Sequence, residues 1–444
     1  MSVLEEDHQR SVAVAAPAAP RYRSFARRNF DQIPGIDRVD AERRFAMQVV
    51  SSVLPFKTNA YVCEQLIRWE DVPDDPIFQL TFPQEGMLAP DDFDAVADLL
   101  RRGATDDEVT ATARRIQRRL NPHPSGQVDH NVPHLDGEPV AGLQHKYRET
   151  VLVFPAQGQT CHAYCTYCFR WPQFVDLDDL KFATKEADTL VGYLRANPDV
   201  TDVIFTGGDP RIMRTGVLER YIDALLAPDL EHIDIRIGTK APAYWPQRFT
   251  TDADADDMLR LFERVVDAGR HLALMAHYSH PRELETDVAQ EAVRRIRATG
   301  AEVRCQAPLI RHVNDSADTW AEMIRAQVRL GAVPYYMFVE RDTGARRYFE
   351  LPLERAWEIY TGAIRQVSGL ARTLRGPVMS ATPGKVLVDG LVEIGGERLF
   401  ALKLIQGRDA EWVNRIVFAR YDPAAAWFDE LKPAFDETRW FFQD

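Results

Sequence analysis

Residues 160–174, TCHAYCTYCFRWPQF, hold three of the five cysteines in this chain of 444 residues. Cys161, Cys165 and Cys168 are spaced C-x3-C-x2-C, so three thiolates on one loop can converge on a compact soft-metal centre. Three protein ligands would leave one iron of a 4Fe–4S cluster open to another molecule. The alternative is a zinc knuckle completed by His162 or a distant residue, at a spacing that zinc sites rarely use. The stretch predicts an iron–sulfur centre with one iron available for chemistry.

The bulk composition is that of an ordinary soluble protein, with 45% hydrophobic and 27% charged residues. No apolar run is long enough to span a bilayer, and the net charge of −13 disfavours a nucleic-acid partner. Five cysteines and no signal-peptide pattern predict a cytoplasmic protein, in which disulfides are a poor explanation of the cysteine triplet. Composition leaves the number of subunits open, including a homo-oligomer.

The distribution of strand-like segments predicts an α/β fold. Six β-rich runs alternate with amphipathic stretches, and after the first gap their starts recur every 30–40 residues, which is typical of a parallel sheet. These runs are 150–156, 201–207, 233–239, 272–278, 302–310 and 333–339. We expect a partial (β/α)6 barrel with N-terminal helical and C-terminal extensions; an open doubly wound sheet is the competing topology.

Four regions follow from this reading. They are a disordered or loosely packed N-terminus (1–40), a mostly helical region (41–145), the partial barrel (146–375) and a C-terminal segment (376–444).

Polar motifs follow the predicted strands at the rim where parallel α/β enzymes place their chemistry. The cysteine loop follows the first strand, and FTGGDP closes the second. Gly207 and Gly208 allow the backbone to approach a ligand closely, and Asp209 can accept hydrogen bonds from an ammonium group. This placement favours an enzyme.

A cysteine motif of this spacing after the first strand, followed by Gly-Gly-acid after the second, resembles the radical S-adenosylmethionine (SAM) superfamily. The resemblance implies a 4Fe–4S cluster whose open iron is chelated by SAM, with Gly207, Gly208 and Asp209 at the site of the methionyl amino group. A reduced cluster would cleave SAM to a 5′-deoxyadenosyl radical, and a reducing protein such as flavodoxin or ferredoxin would supply the electron.

Over about residues 140–390 the chain also resembles the lysine 2,3-aminomutase family, in GLQHKYRETVLVF, CFR, IRIGTKAPAYWPQRFT, AHYSHPRE, QAPLIRHVND and PYYMF. The resemblance implies pyridoxal phosphate as a second cofactor and migration of an amino group from carbon 2 to carbon 3. Lys385, in the turn sequence SATPGKVLV, would be the catalytic lysine that holds pyridoxal phosphate covalently. Arg170 matches the arginine that binds the substrate carboxylate.

The same resemblance places Lys146 at a position that binds the cofactor phosphate and Gln306 at a cofactor contact. The second basic phosphate position is Thr150 here, with Arg148 close by. Phosphate binding is therefore expected in an altered form.

The positions expected to contact the distal end of the substrate differ most clearly from those of the family. Two aspartates hold the distal ammonium in family members that act on lysine, and Arg341 and Ser380 stand at those positions in this chain. An arginine would repel an ammonium and attract a carboxylate, which favours glutamate or another acidic amino acid. A shift of one residue in this alignment would place Asp342 at the first of these positions and favour lysine as the substrate.

Two other functions stay open. One is a radical SAM enzyme without pyridoxal phosphate that acts on a peptide or another metabolite. The other is a non-catalytic iron–sulfur or zinc protein, against which stand the open iron and the polar residues at the strand ends.

Overall fold

The computed structural model describes residues 21–121, 131–175 and 187–443 and is built around one sheet of eleven strands. The strands are β1 (Ser24–Ala26), β2 (Lys57–Asn59), β3 (His134–Leu135), β4 (Glu138–Pro139), β5 (Leu143–Tyr147), β6 (Thr150–Val153), β7 (Asp202–Phe205), β8 (Asp234–Thr239), β9 (Leu272–His277), β10 (Glu302–Leu309), β11 (Val333–Val339), β12 (Arg375–Ser380), β13 (Gly384–Ile394), β14 (Glu397–Gly407) and β15 (Ile416–Arg420). The helices are α1 (Ala41–Val50), α2 (Pro76–Thr81), α3 (Pro90–Arg101), α4 (Asp106–Leu120), α5 (Ala187–Ala196), α6 (Thr215–Leu225), α7 (Ala241–Tyr244), α8 (Ala255–Asp267), α9 (Asp287–Ala298), α10 (Ala317–Arg329), α11 (Arg346–Phe349) and α12 (Leu353–Arg365).

The order of the strands identifies the topology. Strands β6 to β12 are parallel and lie side by side in the order of the chain. A doubly wound sheet would reverse direction at a switch point, so that alternative is wrong. The expected partial barrel is confirmed, and β12 adds a seventh parallel strand to the six that were predicted. Within the described ranges, β5 and β15 are the outer strands and no pairing joins them, so the barrel is open.

Amphipathic helices cover the outside of the parallel strands. Helix α8 shows why, because Met258, Leu261, Phe262 and Val265 recur at three- and four-residue intervals and are all buried. Within the described ranges, no helix combines the length and the apolar character needed to cross a membrane.

The N-terminal layer packs on the barrel beside the cysteine loop. Phe25 and Phe30 are buried in the main core, so the described part of the expected loose N-terminus, residues 21–40, is packed instead. Residues 1–20 lie outside the described part. Strand β2 pairs with β1 and reaches the cysteine loop, where the Tyr164 amide donates to the Lys57 carbonyl at 2.8 Å.

The C-terminal segment extends the barrel sheet and has a core of its own. Strands β13, β14 and β15 are antiparallel additions to β12. Val386, Phe400, Leu402 and Leu404 pack there with Trp427 of the following segment. Because this sheet is continuous with the barrel, residues of β13 and β14 lie close to the barrel mouth.

A buried carboxylate fastens the N-terminal layer to the barrel. Asp75 caps α2 by accepting from the Ile77 and Phe78 amides at 2.9 and 2.8 Å, and it forms an ion pair with Arg282 after β9. Its side chain is fully buried.

Asp75→Ala leaves Arg282 as an uncompensated buried cation. We expect this substitution to lower the free energy of unfolding by about 3–5 kcal/mol, measured by urea denaturation. The neighbouring Asp74 is exposed, and Asp74→Ala should change stability by less than about 0.5 kcal/mol. Equal stability of the two variants would contradict this account.

Candidate active site

The cysteine loop lies between β6 and a short 3-10 helix at 171–174, at the carboxyl end of the first parallel strand. Cys161, Cys165 and Cys168 are free thiols. The Cys168 amide donates to the Cys165 carbonyl at 3.1 Å, which folds the last two cysteines into one tight turn. The structure therefore presents the predicted triad at one end of the barrel.

Strand β2 holds the backbone of this loop from outside. The Lys57 ammonium donates to the Cys161 carbonyl at 2.7 Å, and the Asn59 amide donates to the His162 carbonyl at 3.2 Å. Both contacts use carbonyl oxygens of the loop. They fix its course while leaving the sulfur atoms for other ligands.

The donor set fits an iron–sulfur cubane better than a single zinc ion. Among the His, Cys, Asp and Glu side chains of the described ranges, no three converge closely enough to hold one metal ion. Mononuclear zinc requires that convergence, whereas each cysteine of a cubane binds a different iron. His162, the proposed zinc ligand, instead packs its buried ring edge-on against Tyr22, with 5.4 Å between the ring centroids.

The Gly207–Gly208 turn packs against the cysteine loop. A Cβ on Gly208 would lie 2.4 Å from the Thr160 amide nitrogen, and one on Gly207 would lie 2.3 Å from Gln159 Nε2. The sequence analysis attributed these glycines to close approach of a ligand. The structure shows that the absence of side chains at these glycines allows their turn to pack closely against the cysteine loop.

Asp209 bridges three strand ends. Its amide donates to the Thr160 carbonyl at 2.7 Å, and its buried carboxylate accepts from the Thr239 hydroxyl at 2.7 Å, from the Lys240 amide at 2.9 Å and from the Arg211 amide at 2.8 Å. These bonds occupy both carboxylate oxygens. They favour a structural role for the side chain over the expected contact with an ammonium group.

Arg170 places a partly buried guanidinium at the end of the cysteine loop. Its guanidinium lies 4.6 and 5.0 Å from the ring centroids of Phe154 and Phe169. Within the described residues it forms no ion pair. Burial lowers its pKa to about 10, opposed by the negative charge of Cys168. A desolvated guanidinium of this kind is suited to bind a carboxylate.

Arg341 follows β11 at the same mouth. Its guanidinium contacts the rings of Phe169 and Trp427, at 5.3 and 5.6 Å from their centroids. Asp342 Oδ1 lies 3.7 Å from Arg341 Nε. Arg170 and Arg341 therefore contact the same ring, that of Phe169, and after burial itself the charge of Arg341 contributes to lowering the pKa of Arg170.

Lys385 is the second residue of β13, immediately after the Pro383–Gly384 turn in which the sequence analysis placed it. Its ammonium donates to Gln406 Oε1 at 2.6 Å and lies between the rings of Tyr147 and Tyr336, 5.2 and 5.1 Å from their centroids. Burial, followed by the charges of Arg236 and Arg375, lowers its pKa to about 7. A large share of this amine is therefore unprotonated near neutral pH.

The remaining predicted residues lie around Lys385. Ser380 ends β12 and is the direct cross-strand partner of Lys385. Lys146, on β5, donates to the Ala381 carbonyl at 2.6 Å. Gln306 Nε2 lies 2.9 Å from His277 Nε2, on the neighbouring strand.

The two substitutes considered for the second phosphate position are engaged elsewhere. Arg148 pairs with Asp199 on the exposed surface at 3.0 Å. Thr150 donates to Asp202 at 2.9 Å, and Asp202 in turn pairs with Arg236. Neither is available for phosphate in this arrangement.

Sequence reasoning missed Arg408, which lies just beyond β14. Burial lowers the pKa of Lys146 to about 7, and Arg408 is the first charge that adds to this effect, ahead of Arg341 and Lys385. Its position depends on the pairing of Gly384 with Gly407 in the β13–β14 hairpin. No local motif marks that pairing.

An open parallel barrel that carries C-x3-C-x2-C on its first loop is the arrangement expected of a radical SAM enzyme. Similarity to curated proteins points to a smaller group within this class of enzymes. A putative L-lysine 2,3-aminomutase of Aquifex aeolicus is 29% identical over 397 residues, covering 89% of this chain and 92% of that protein. L-lysine 2,3-aminomutase of Clostridium subterminale is 30% identical over 232 residues, 52% of each chain. The Bacillus subtilis enzyme is 26% identical over 338 residues, 68% of this chain and 67% of that one. Over most of its length the chain is therefore similar to proteins named lysine 2,3-aminomutase, which supports the expected family resemblance.

This similarity supports an isomerase-type enzyme, and the radical SAM resemblance implies a 4Fe–4S cluster and SAM. No protein-family model matches the sequence. Solved structures with similarity include a radical SAM methyltransferase from Sphaerobacter thermophilus, with a TM-score of 0.38 and 15% identity over 63% of this chain and 91% of that one. Streptococcus suis SuiB has a TM-score of 0.37 and 12% identity over 63% of this chain and 59% of that one.

The tight contact at Gly208 can be tested by iron binding. Gly208→Ala places a methyl group against the Thr160 backbone, so we expect the cysteine loop to shift and the iron content after anaerobic reconstitution to fall at least twofold. Gly216→Ala is the matched control, because a Cβ there meets nothing within 4 Å. Full iron loading of Gly208→Ala would show that the loop has room that the structure does not.

Proposed function

We propose that this protein is a 2,3-aminomutase that uses pyridoxal phosphate as well as SAM and acts on an acidic amino acid such as glutamate. The observation that carries the cofactor is Lys385, a buried amine with a pKa of about 7 at the barrel mouth. The observation that carries the substrate is the pair of guanidinium groups, Arg170 and Arg341, that contact the same Phe169 ring.

Lys385 has the properties required of a lysine that attacks an aldehyde. Its nitrogen is largely desolvated, partly unprotonated, and held in position by Gln406 and two tyrosine rings. Pyridoxal phosphate, when bound, supplies an aldehyde for the migrating amino group and a conjugated ring that stabilises an adjacent radical. Lys146 supports binding of its phosphate, and Gln306 is a candidate contact to its ring.

The cluster site and the lysine site occupy the same end of the barrel. Cys161, Cys165 and Cys168 would hold the cluster, which together with SAM supplies the one-electron chemistry. The single electron would come from a small reducing protein such as flavodoxin or ferredoxin.

Arg170 orients the substrate in this proposal. It follows the last cysteine by two residues, so a carboxylate that it binds lies beside the cluster. Its contacts with Phe154 and Phe169 reduce the exposure of the guanidinium to water, which strengthens a charge-assisted bond.

Arg341 sets the charge preference at the other end of the substrate. It contacts Phe169 and Trp427, and Phe169 is also contacted by Arg170. Ser380, beside Lys385, adds a hydroxyl and no charge. A lysine side chain would bring its ammonium toward a guanidinium, whereas a glutamate side chain would bring a carboxylate.

Lys385 can be tested by borohydride trapping. In wild-type protein loaded with pyridoxal phosphate, reduction should fix a pyridoxyl group on Lys385, and the labelling rate should rise with pH and level off above about pH 8. The sign follows from the lowered pKa of about 7, because the unprotonated amine reacts and the ammonium does not.

Lys385→Ala should lose this label. Lys403→Ala is the control, since Lys403 pairs with Asp389 at 3.3 Å on the same sheet and should leave labelling unchanged. A label that survives in Lys385→Ala, or that rises only near pH 10, would favour the radical SAM enzyme without pyridoxal phosphate.

The substrate assignment can be tested by a paired exchange at 341 and 342. Arg341→Asp should lower kcat/KM for glutamate at least 100-fold, since it removes an attraction and adds a repulsion, while Asp342→Asn should change it less than about fivefold. The assay is chromatographic detection of the β-amino isomer with reconstituted, reduced enzyme. The reverse result, with turnover of lysine lost in Asp342→Asn, would establish the lysine reading.

A further inference from the structure

We propose that Arg408 binds the phosphate of pyridoxal phosphate together with Lys146, replacing the basic group that position 150 lacks. This inference rests on the proposed function and assigns a residue from the C-terminal sheet to the cofactor site.

The two cations are fixed on neighbouring peptide groups. Lys146 Nζ donates to the carbonyl of Ala381 at 2.6 Å, and Arg408 Nε donates to the carbonyl of Thr382 at 2.8 Å. Both carbonyls belong to the turn between β12 and β13, three and four residues before Lys385. The turn that presents the lysine therefore also brings the two cations together.

Neither cation is neutralised by its contacts. Arg408 Nη2 donates to Asn131 Oδ1 at 2.9 Å, so both of its acceptors are uncharged. Throughout the described residues, neither Lys146 nor Arg408 forms an ion pair. Their mutual repulsion contributes to the lowered pKa of Lys146 after burial itself. Two adjacent cations without a carboxylate are a receptor for a dianion such as a phosphate monoester.

The positions of Lys146 and Arg408 relative to Lys385 are also compatible with the length of one pyridoxal phosphate molecule. The ammonium groups of Lys146 and Lys385 lie 5.4 and 5.2 Å from the centroid of the same ring, that of Tyr147. One aromatic side chain thus separates the lysine that would hold the aldehyde end from the cations that would hold the phosphate end. The nearer candidates in the sequence, Arg148 and Thr150, are bonded to Asp199 and Asp202 instead.

The test compares pyridoxal phosphate with pyridoxal, which has the aldehyde and ring but no phosphate. We expect Arg408→Gln to weaken pyridoxal phosphate binding about 10- to 100-fold, the range for loss of one charge-assisted hydrogen bond, and to leave pyridoxal affinity within about twofold. Arg408→Lys should recover most of the loss. Arg415→Gln, an exposed arginine of the same segment, is the matched control and should bind both aldehydes as wild type does. Affinity is measured by absorbance titration of the full-length protein.

Each remaining outcome has a distinct meaning. Equal affinity for pyridoxal phosphate in wild type and Arg408→Gln would overturn the assignment, and so would equal losses for the two aldehydes, which indicate that Arg408 only fastens the turn. If wild type shows no borohydride label on Lys385, the proposed function itself fails and the phosphate site fails with it.

Discussion

The close contact between the Gly207–Gly208 turn and the backbone at Thr160 fixes where the chemistry of this protein takes place. It joins the ends of β6 and β7 at a distance that allows no side chain at Gly208. Asp209 continues the connection by bonding Thr160 on one side and Thr239 on the other, which adds the end of β8. The ends of β6, β7 and β8 are thereby held together at one end of the barrel. The cysteine loop therefore has a fixed position relative to the strands that follow it. A loop held only by its own turns would not define that position.

The second constraint is electrostatic. The barrel contains buried charges of two kinds. Arg236 is compensated by Asp202, and Lys240 by Glu283 at 2.7 Å. Lys385, by contrast, is buried against a neutral amide and two aromatic rings. Burying a cation without a counter-charge costs free energy in the folded protein.

Lys146 and Arg170 share this lack of compensation, and both lie at the same end of the barrel as Lys385. Within the described residues, three cations without an ion pair are therefore grouped in one region of the barrel. Such a grouping is suited to a site that receives anions. It is the physical basis for assigning a phosphate and one or two carboxylates to this space.

Much of the barrel was predictable because its signals are local. Alternation of strand-like and amphipathic segments gives the parallel units, and C-x3-C-x2-C with Gly-Gly-acid marks the rim. Strand β12 was missed since Gly376 and Pro377 interrupt its pattern, and β13 since Pro383–Gly384 looks like a turn and nothing more. The engagement of Asp209 by Thr239 was not predictable, because it depends on how two neighbouring units pack. Arg408 was missed for the same reason, since only the register of the β13–β14 hairpin brings it to the turn before Lys385.

The site divides into two parts that are built by different elements. The ends of β6, β7 and β8 position the cysteines and are held by backbone contacts that tolerate little change. Arg341, Ser380 and Lys385, three of the residues proposed to face the substrate and the second cofactor, come from the ends of β11 and β12 and from the C-terminal sheet. Arg341, for example, is held by stacking on Phe169 and Trp427, so its replacement disturbs no backbone bond at the cluster loop. Because Phe169 directly follows Cys168, the arginine proposed to select the substrate's charge meets the cluster loop only through a side-chain contact, so exchanging a distal aspartate for this arginine requires no change in the backbone bonds that hold the loop.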